Sequence, residues 1–414
     1  MLPSTKTALL SLTTLLLGTT TSQTIYTGDT LQGYPIISSL DITDVPSNTI
    51  SRFWLSPASG QGGLPYFLPI FVARGTEESA NSGTRLSLSA SIHGDELNPV
   101  AVVQKIFARL NETGRFPGNS DHGSGKSDEE SSAGGLFNGT IIGLPTQNPQ
   151  GNLLNQRNFF TSASNGFFTN LNRVFPGVTI AEGGGLPDAY AAAIWNGVWG
   201  NTSNVDVAVD FHTLSTGSLG PLWCYADYRL DGVQRLAELL EPDMIKIDPG
   251  EPGSIETTWV EAGVPAITVE IGPGNIWNST LINRTVDYAF RLMEDLVMFG
   301  GSSSSGGIVP DLSETYIVTN FSGTAVSYSG WAELDVGVLE EVEEGQVIGR
   351  VYNSWGDKLE DLSAAVSGRV LDVLVDPAVE AGTGVATIGY NATASEWYIR
   401  VMRSVLSGSR KGIA

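Results

Sequence analysis

Apolar and small polar residues alternate through Leu86-Ser87-Leu88-Ser89-Ala90-Ser91-Ile92, the period-two pattern of a half-buried strand. An apolar-periodic helix over about 98–110 follows, carried by Val100, Val103, Ile106, Phe107 and Leu110. The alternation then continues: strands at 138–144, 205–211, 220–226, 243–247 and 265–271, with helices at 229–241, near 256–262 and at 279–298. Strands interleaved with helices predict an α/β domain, with helices on both faces of a mixed, largely parallel sheet. Residues 23 to about 82 read as a β-rich lead-in, with a strand at Tyr66-Phe67-Leu68-Pro69-Ile70-Phe71-Val72.

Two stretches break the pattern. Gly118 to Gly135 is rich in Gly, Ser, Asp and Glu and has too few apolar residues to bury a core, so it reads as a surface insertion. Residues 300–307, Gly-Gly-Ser-Ser-Ser-Ser-Gly-Gly, read as a linker. Beyond it, residues 308–395 hold short strands separated by glycine turns, a small C-terminal all-β module, and 396–414 form a tail. This places a catalytic domain at 23–299.

The first 22 residues hold Lys6, then Ala8-Leu9-Leu10-Ser11-Leu12 and Leu15-Leu16-Leu17-Gly18, then small residues to Ser22. That apolar run is short for a membrane span and ends in a small-residue exit, as in a cleaved secretory signal. Seven Asn-x-Ser/Thr sequons follow, at Asn111, Asn138, Asn201, Asn278, Asn283, Asn320 and Asn391. The expectation is a secreted, extracellular glycoprotein with no membrane association after cleavage. Cys224 is the one cysteine in the chain, so no intrachain disulfide forms. Its apolar neighbours predict a buried structural thiol. A net charge of −22 argues against nucleic acid or an anionic membrane as partner.

The chain has three histidines, His93, His122 and His212. His122 lies in the 118–135 insertion and is expected to be exposed and without function. His93 and Glu96 follow a strand, three residues apart, and by themselves fit a turn histidine followed by the first-turn acid of a helix. His212 ends the run Val209-Asp210-Phe211-His212, and ligands gather at the carboxyl ends of parallel strands. Two His and one Glu with a fourth position for water suit a single catalytic Zn2+. Asp210 is a candidate partner for the far side of the His212 ring. Glu270, inside the apolar strand Ala266 to Ile271, must be paired, ligated or catalytic. Beside a metal it would be a general base. Asn148-Pro149, Arg157, Asn172 and Arg173 bring cations and amides near Gly/Pro turns in an acidic chain. They suggest a site for a free carboxylate.

His93-x-x-Glu96, Arg157, Asn172-Arg173-x-Phe175-Pro176-Gly177, Asp210-x-His212 and Glu270-x-Gly272, in this order, resemble the succinylglutamate desuccinylase/aspartoacylase branch of the zinc carboxypeptidase superfamily. The resemblance covers about 84–300 well and the β module loosely. It implies that His93, Glu96 and His212 hold zinc and that Glu270 activates water. It also implies that Arg157 polarises the scissile carbonyl while Asn172 and Arg173 grip the substrate carboxylate. Relatives often carry Asp where this chain has Asn170. Many bacterial relatives have an Arg in the helix before the base, whereas 251–262 holds none and contains Glu256 and Trp259. A diacid substrate is therefore less expected, and one with a single carboxylate and an apolar or aromatic group fits at least as well.

These observations predict a secreted zinc hydrolase that cleaves an amide next to a free carboxylate in a small-molecule or peptide substrate. The competing readings are a carboxypeptidase, which would use a tyrosine such as Tyr225 or Tyr228 over its substrate, and a non-catalytic binding protein on the same scaffold.

Overall fold

A computed structural model of the chain describes residues 23–57, 63–119, 136–161, 168–299 and 307–391. The signal segment (1–22), the 118–135 insertion beyond its first two residues, His122, linker residues 300–306 and the tail 396–414 lie outside the described residues.

Eleven strands build one sheet: β1 (Ile25–Leu31), β2 (Tyr34–Ser39), β3 (Thr49–Leu55), β4 (Leu68–Arg74), β5 (Arg85–Ala90), β6 (Thr140–Leu144), β7 (Val207–His212), β8 (Leu222–Ala226), β9 (Met244–Ile247), β10 (Ala266–Ile271) and β11 (Tyr316–Val318). Their order across the sheet is β1-β2-β3-β4-β6-β5-β7-β10-β8-β9-β11. The run β6-β5-β7-β10 is parallel throughout, while β8 reverses against β10. The mixed, largely parallel sheet read from the sequence is therefore present, and β5, β7 and β10 deliver their carboxyl ends to one edge.

Strand alternation divides the two faces. Leu86, Leu88, Val207, Val209, Phe211, Ile267 and Val269 enter one core with the helices Asn98–Glu112, Val233–Leu240 and Ser279–Asp295. Ala208 and Ala266, pointing the other way, enter a second core with the helices Leu186–Gly197 and Ile255–Glu261. By the same period of two, Asp210, His212, Thr268 and Glu270 share the face of Ala208 and Ala266. Toward the carboxyl edge that face changes from core to site. Val209 and Phe211 behind it are fully buried, each contributing roughly 1.5–3 kcal/mol of hydrophobic stabilisation.

The helix Leu186–Gly197 has no counterpart in the periodicity reading. It buries Pro187, Ala189, Tyr190, Ala191, Ala192, Ile194 and Trp195, so apolar residues surround it and no polar stripe marks a period of 3.6. The expected helix at 229–241 starts later, at Val233. Residues before it form a turn in which Leu230 N–H donates to Asp227 O and Gly232 adopts φ +91°, open to glycine and costly for other residues.

The module after the linker holds a four-stranded sheet and most of a five-stranded one, closed on Val326, Ile348, Val351, Val370 and Ile388. It is joined to the preceding α/β domain by strand pairing. Tyr316–Val318, within the 308–395 stretch, extends the main sheet in parallel beside Met244–Lys246. Ser218–Leu219 pairs antiparallel with Val373–Leu374.

Candidate active site

The segment His93 to Asn98 is placed by nearly every residue in it. Gly94 packs against Gly151, where an added Cβ would come within 2.1 Å of the backbone. Asp95 Oδ2 accepts from Thr216 N–H at 3.1 Å and from its hydroxyl at 2.9 Å, tying the turn to the loop after His212. Asn98 Nδ2 donates to Ile271 O at 3.1 Å, tying the turn to the end of β10. Asn148 caps the short helix Pro149–Leu154 through Gly151 N–H, and this helix carries the chain on to Arg157. Asn148 is thus structural support for the site.

These braces bring His93, Glu96 and His212 together, with one ligand atom from each within 4.8 Å of the others. All three are buried. Nδ1 of His93 faces Glu96 Oε1 at 2.8 Å, and Nδ1 of His212 faces Oε2 at 2.8 Å. On the far sides, His93 Nε2 meets Asn170 Oδ1 at 3.0 Å and His212 Nε2 meets Asp210 Oδ2 at 2.7 Å. Asn170 Oδ1 also accepts from Asn172 N–H, and Asp210 Oδ1 accepts from Ser89 Oγ. Both Nε2 atoms are therefore donors by assignment from their partners. That leaves each Nδ1 facing a carboxylate oxygen, the place a proton or a metal ion would occupy. A proton is poorly suited to His93, whose pKa burial holds below its ordinary value despite Glu96. At His212 burial acts the same way, but Asp210 and Glu96 on either side raise it well above the usual range. Burial likewise opposes the Glu96 carboxylate, and His93 and His212 more than offset it, so its pKa falls. Two imidazoles and one carboxylate with ligand atoms this close match the donor set of a divalent metal.

Glu270 lies across from His212 in the β7/β10 register. It is buried, and its Oε2 has no hydrogen-bond partner among the described residues. Burial pushes its pKa up to about 8, with His212 and Arg157 pulling down and Glu96 and Asp210 adding to the rise. Arg157 Nη1 donates to Glu96 Oε1 at 2.7 Å and to Ser215 Oγ at 2.8 Å.

These groups open on a cavity of about 500 Å³ that also takes in Asn172, Arg173, Tyr225, Lys246, Glu256 and Thr268. Asn172 Oδ1 is committed to Ile255 N–H at 2.8 Å, leaving its NH2 group as the donor available to a ligand. Arg173 is 42% exposed at its side chain and faces Glu251 at 3.4 Å, a pair loose enough to yield to a substrate carboxylate. Tyr225 lines the cavity, whereas Tyr228 does not. Trp259 is in the core against Trp195 and Trp199. Cys224 is buried, as expected. The site thus unites all seven residues singled out for metal, catalysis and substrate. Sequence reasoning missed the pairing of Asn170 with His93, the Ser215 contact and the cavity positions of Lys246 and Thr319 to Phe321. Thr319, Asn320 and Phe321 come from the segment after β11, and no local pattern marks them.

Residues 129–296 match the succinylglutamate desuccinylase/aspartoacylase catalytic domain. Over that stretch the chain carries a domain similar to the catalytic domain of the succinylglutamate desuccinylase/aspartoacylase family. The matched stretch contains Arg157, Asn172, Arg173, His212 and Glu270 and begins after His93 and Glu96. No curated protein matches the chain in sequence. Among solved structures, the fold is similar to product-bound ectoine utilization protein EutE (DoeB) from Ruegeria pomeroyi, with TM-score 0.63, 17% identity, and 84% of this chain and 97% of that one covered. It is similar to a succinylglutamate desuccinylase from Silicibacter sp. TM1040, with TM-score 0.63, 17% identity and coverage of 84% and 97%. It is also similar to an aspartoacylase family protein from Mesorhizobium loti, with TM-score 0.63, 18% identity and coverage of 90% and 100%. At these identities the likeness is one of fold, and it extends through nearly the whole length of each of these structures.

Proposed function

We propose that the protein is a zinc-dependent hydrolase that cleaves an amide next to a free carboxylate, an N-acyl amino acid deacylase. The observation that carries this reading is the pair of imidazole Nδ1 atoms aimed at one carboxylate, with Glu270 Oε2 unpartnered among the described residues beside them. Zinc held by His93, Glu96 and His212 would supply Lewis acidity and lower the pKa of a water. Glu270 would take a proton from the attacking water as the water oxygen adds to the carbonyl carbon. Its raised pKa suits a base that must accept a proton near neutrality and give it back. Arg157 supplies positive charge beside the oxyanion as the carbonyl opens. When the C–N bond breaks, Glu270 would pass that proton to the departing nitrogen, leaving a carboxylic acid and an amine, which become carboxylate and ammonium as the acid gives up its remaining proton. Arg173 and the NH2 of Asn172 hold the free carboxylate of the substrate.

Export and glycosylation belong to this reading. The apolar run Leu9 to Leu17 with its small-residue exit and the seven sequons support it. Asn111, Asn201, Asn283 and Asn391 are exposed, where a glycan can be accommodated.

The test is to incubate the zinc-loaded protein with Nα-acetyl amino acids and, separately, with long peptides bearing free C-termini. Release of acetate from the acetylated amino acids is expected. Stepwise release of C-terminal residues, with no N-acyl cleavage, would make the protein a carboxypeptidase.

A further inference from the structure

The cavity contains a buried acid that the reaction above does not use. Glu256 stands in the first turn of the helix Ile255–Glu261, is 4% exposed, and lines the same cavity as Glu270 and Thr268. Its Oε2 accepts from Thr257 Oγ1 at 3.0 Å. Among the described residues it makes no other hydrogen bond and no ion pair. Two cations lie in its surroundings, and each is already engaged. Lys246 Nζ is held by Asp248 Oδ2 at 2.6 Å, and Arg229 by Asp227 Oδ2 at 2.5 Å. Asp227, Asp248 and Asp210 also act on Glu256, and Arg173 lines the same cavity. Burial pushes its pKa up to about 8, the Thr257 hydroxyl pulling the other way and Asp227, Asp248 and Asp210 adding to the rise.

A carboxyl kept this dry and this poorly partnered is costly. A core position could take an apolar side chain at no such cost, but this one faces a cavity. Its carboxyl offers an ion-pair partner to an incoming positive charge and none to a negative one. Arg173, in contrast, is the more exposed cation of the same cavity. The two together describe a ligand with a carboxylate at one end and a cation at the other.

We propose that Glu256 is the specificity-determining residue of this cavity, and that with Thr268 it receives the protonated amine or guanidinium of an N-acylated basic amino acid whose α-carboxylate rests on Arg173. This inference rests on the deacylase reading and narrows its substrate class. A docked cation stabilises the Glu256 carboxylate and displaces its proton to solvent. An acidic side chain in the same place would face an acid with no free counter-cation, and a neutral one would leave Glu256 unpaired.

The test compares zinc-loaded wild type, Glu256→Gln and Glu256→Asp on Nα-acetyl-lysine, Nα-acetyl-arginine, Nα-acetyl-leucine and N-acetyl-aspartate. In parallel, calorimetry follows binding of free lysine, leucine and aspartate. Wild type is expected to favour the basic substrates over the others by about 10-fold or more in kcat/KM, the scale of one charge-assisted hydrogen bond. Glu256→Gln is expected to lower the basic-to-neutral ratio by about 10- to 100-fold, mainly through KM, and Glu256→Asp to keep part of the preference. Hydrolysis with no basic preference, or a Glu256→Gln loss equal for all substrates, overturns the inference and leaves the deacylase reading standing. No hydrolysis, with lysine binding that Glu256→Gln abolishes, overturns the deacylase reading and keeps the cation site. Neither hydrolysis nor selective lysine binding overturns both.

Discussion

Glu270 and His212 stand opposite each other in the parallel register of adjacent strands, and Glu270 keeps one buried oxygen without a partner. A strand pair thus fixes the distance between the proposed base and a proposed metal ligand, leaving little to side-chain freedom. Replacing Glu270 by Gln preserves shape and removes the proton acceptor. Steady-state kinetics should show kcat falling by about 10²- to 10⁴-fold, with zinc content by elemental analysis equal to wild type. A variant that stays active within a few-fold would remove Glu270 from the mechanism.

Asn170 and Asp210 hold the far nitrogens of the two histidines. Each fixes a ring and a tautomer, so Asn170→Ala and Asp210→Ala should each weaken zinc binding by about 10- to 100-fold. Competition against a chromophoric chelator measures this directly. Asn170→Asp should bind zinc more tightly than wild type, because a carboxylate makes His93 a better donor. Unchanged affinity in all three variants would mean that these contacts do not orient the ligands.

Arg173 is paired loosely, with Glu251 at 3.4 Å. Arg173→Ala should raise KM for a carboxylate-bearing substrate by about 10- to 100-fold, the worth of a hydrogen bond to a charged group, with a smaller change in kcat. An amidated substrate should lose the difference between wild type and variant. If it does not, Arg173 binds something other than that carboxylate.

Glu256 also makes a pH-dependent contribution to stability. Its carboxyl ionises near 4.5 in the unfolded chain and near 8 in the folded one, so the folded protein holds the extra proton across that window. The stability this carries is complete below the unfolded value and is lost as pH rises through 8. Glu256→Gln should therefore melt close to wild type at pH 5 and higher than wild type at pH 9, by up to roughly 4 kcal/mol. Thermal denaturation at the two pH values decides it, and a pH-independent difference would contradict the burial argument.

The strands that carry the site were legible because their alternation is regular. Val207, Val209 and Phe211 face a core, and Asp210 and His212 interrupt the opposite face with groups too costly to bury idle. The scarcity of histidine narrowed the metal ligands further. Glu256 was visible as a departure in a helix that lacks arginine, but its direction depended on which side of the helix Ile255–Glu261 met the sheet. Trp259, three residues on, went to the aromatic core with Trp195 and Trp199. Asn170 stood in plain sight as well, yet its contact with His93 spans 77 residues and leaves no local period. The same holds for Phe321, which reaches the cavity because a strand after the linker joins the main sheet beside Met244–Lys246.

The central claim is that two imidazoles and Glu96 hold a zinc ion on which hydrolysis depends. The direct measurement is the rate of Nα-acetyl amino acid hydrolysis by protein stripped with a chelator, then titrated with zinc. The account predicts no turnover in the stripped protein and full recovery at one zinc per chain, with His212→Ala neither binding nor recovering. Turnover that survives stripping, or recovery that His212→Ala shares, would contradict it.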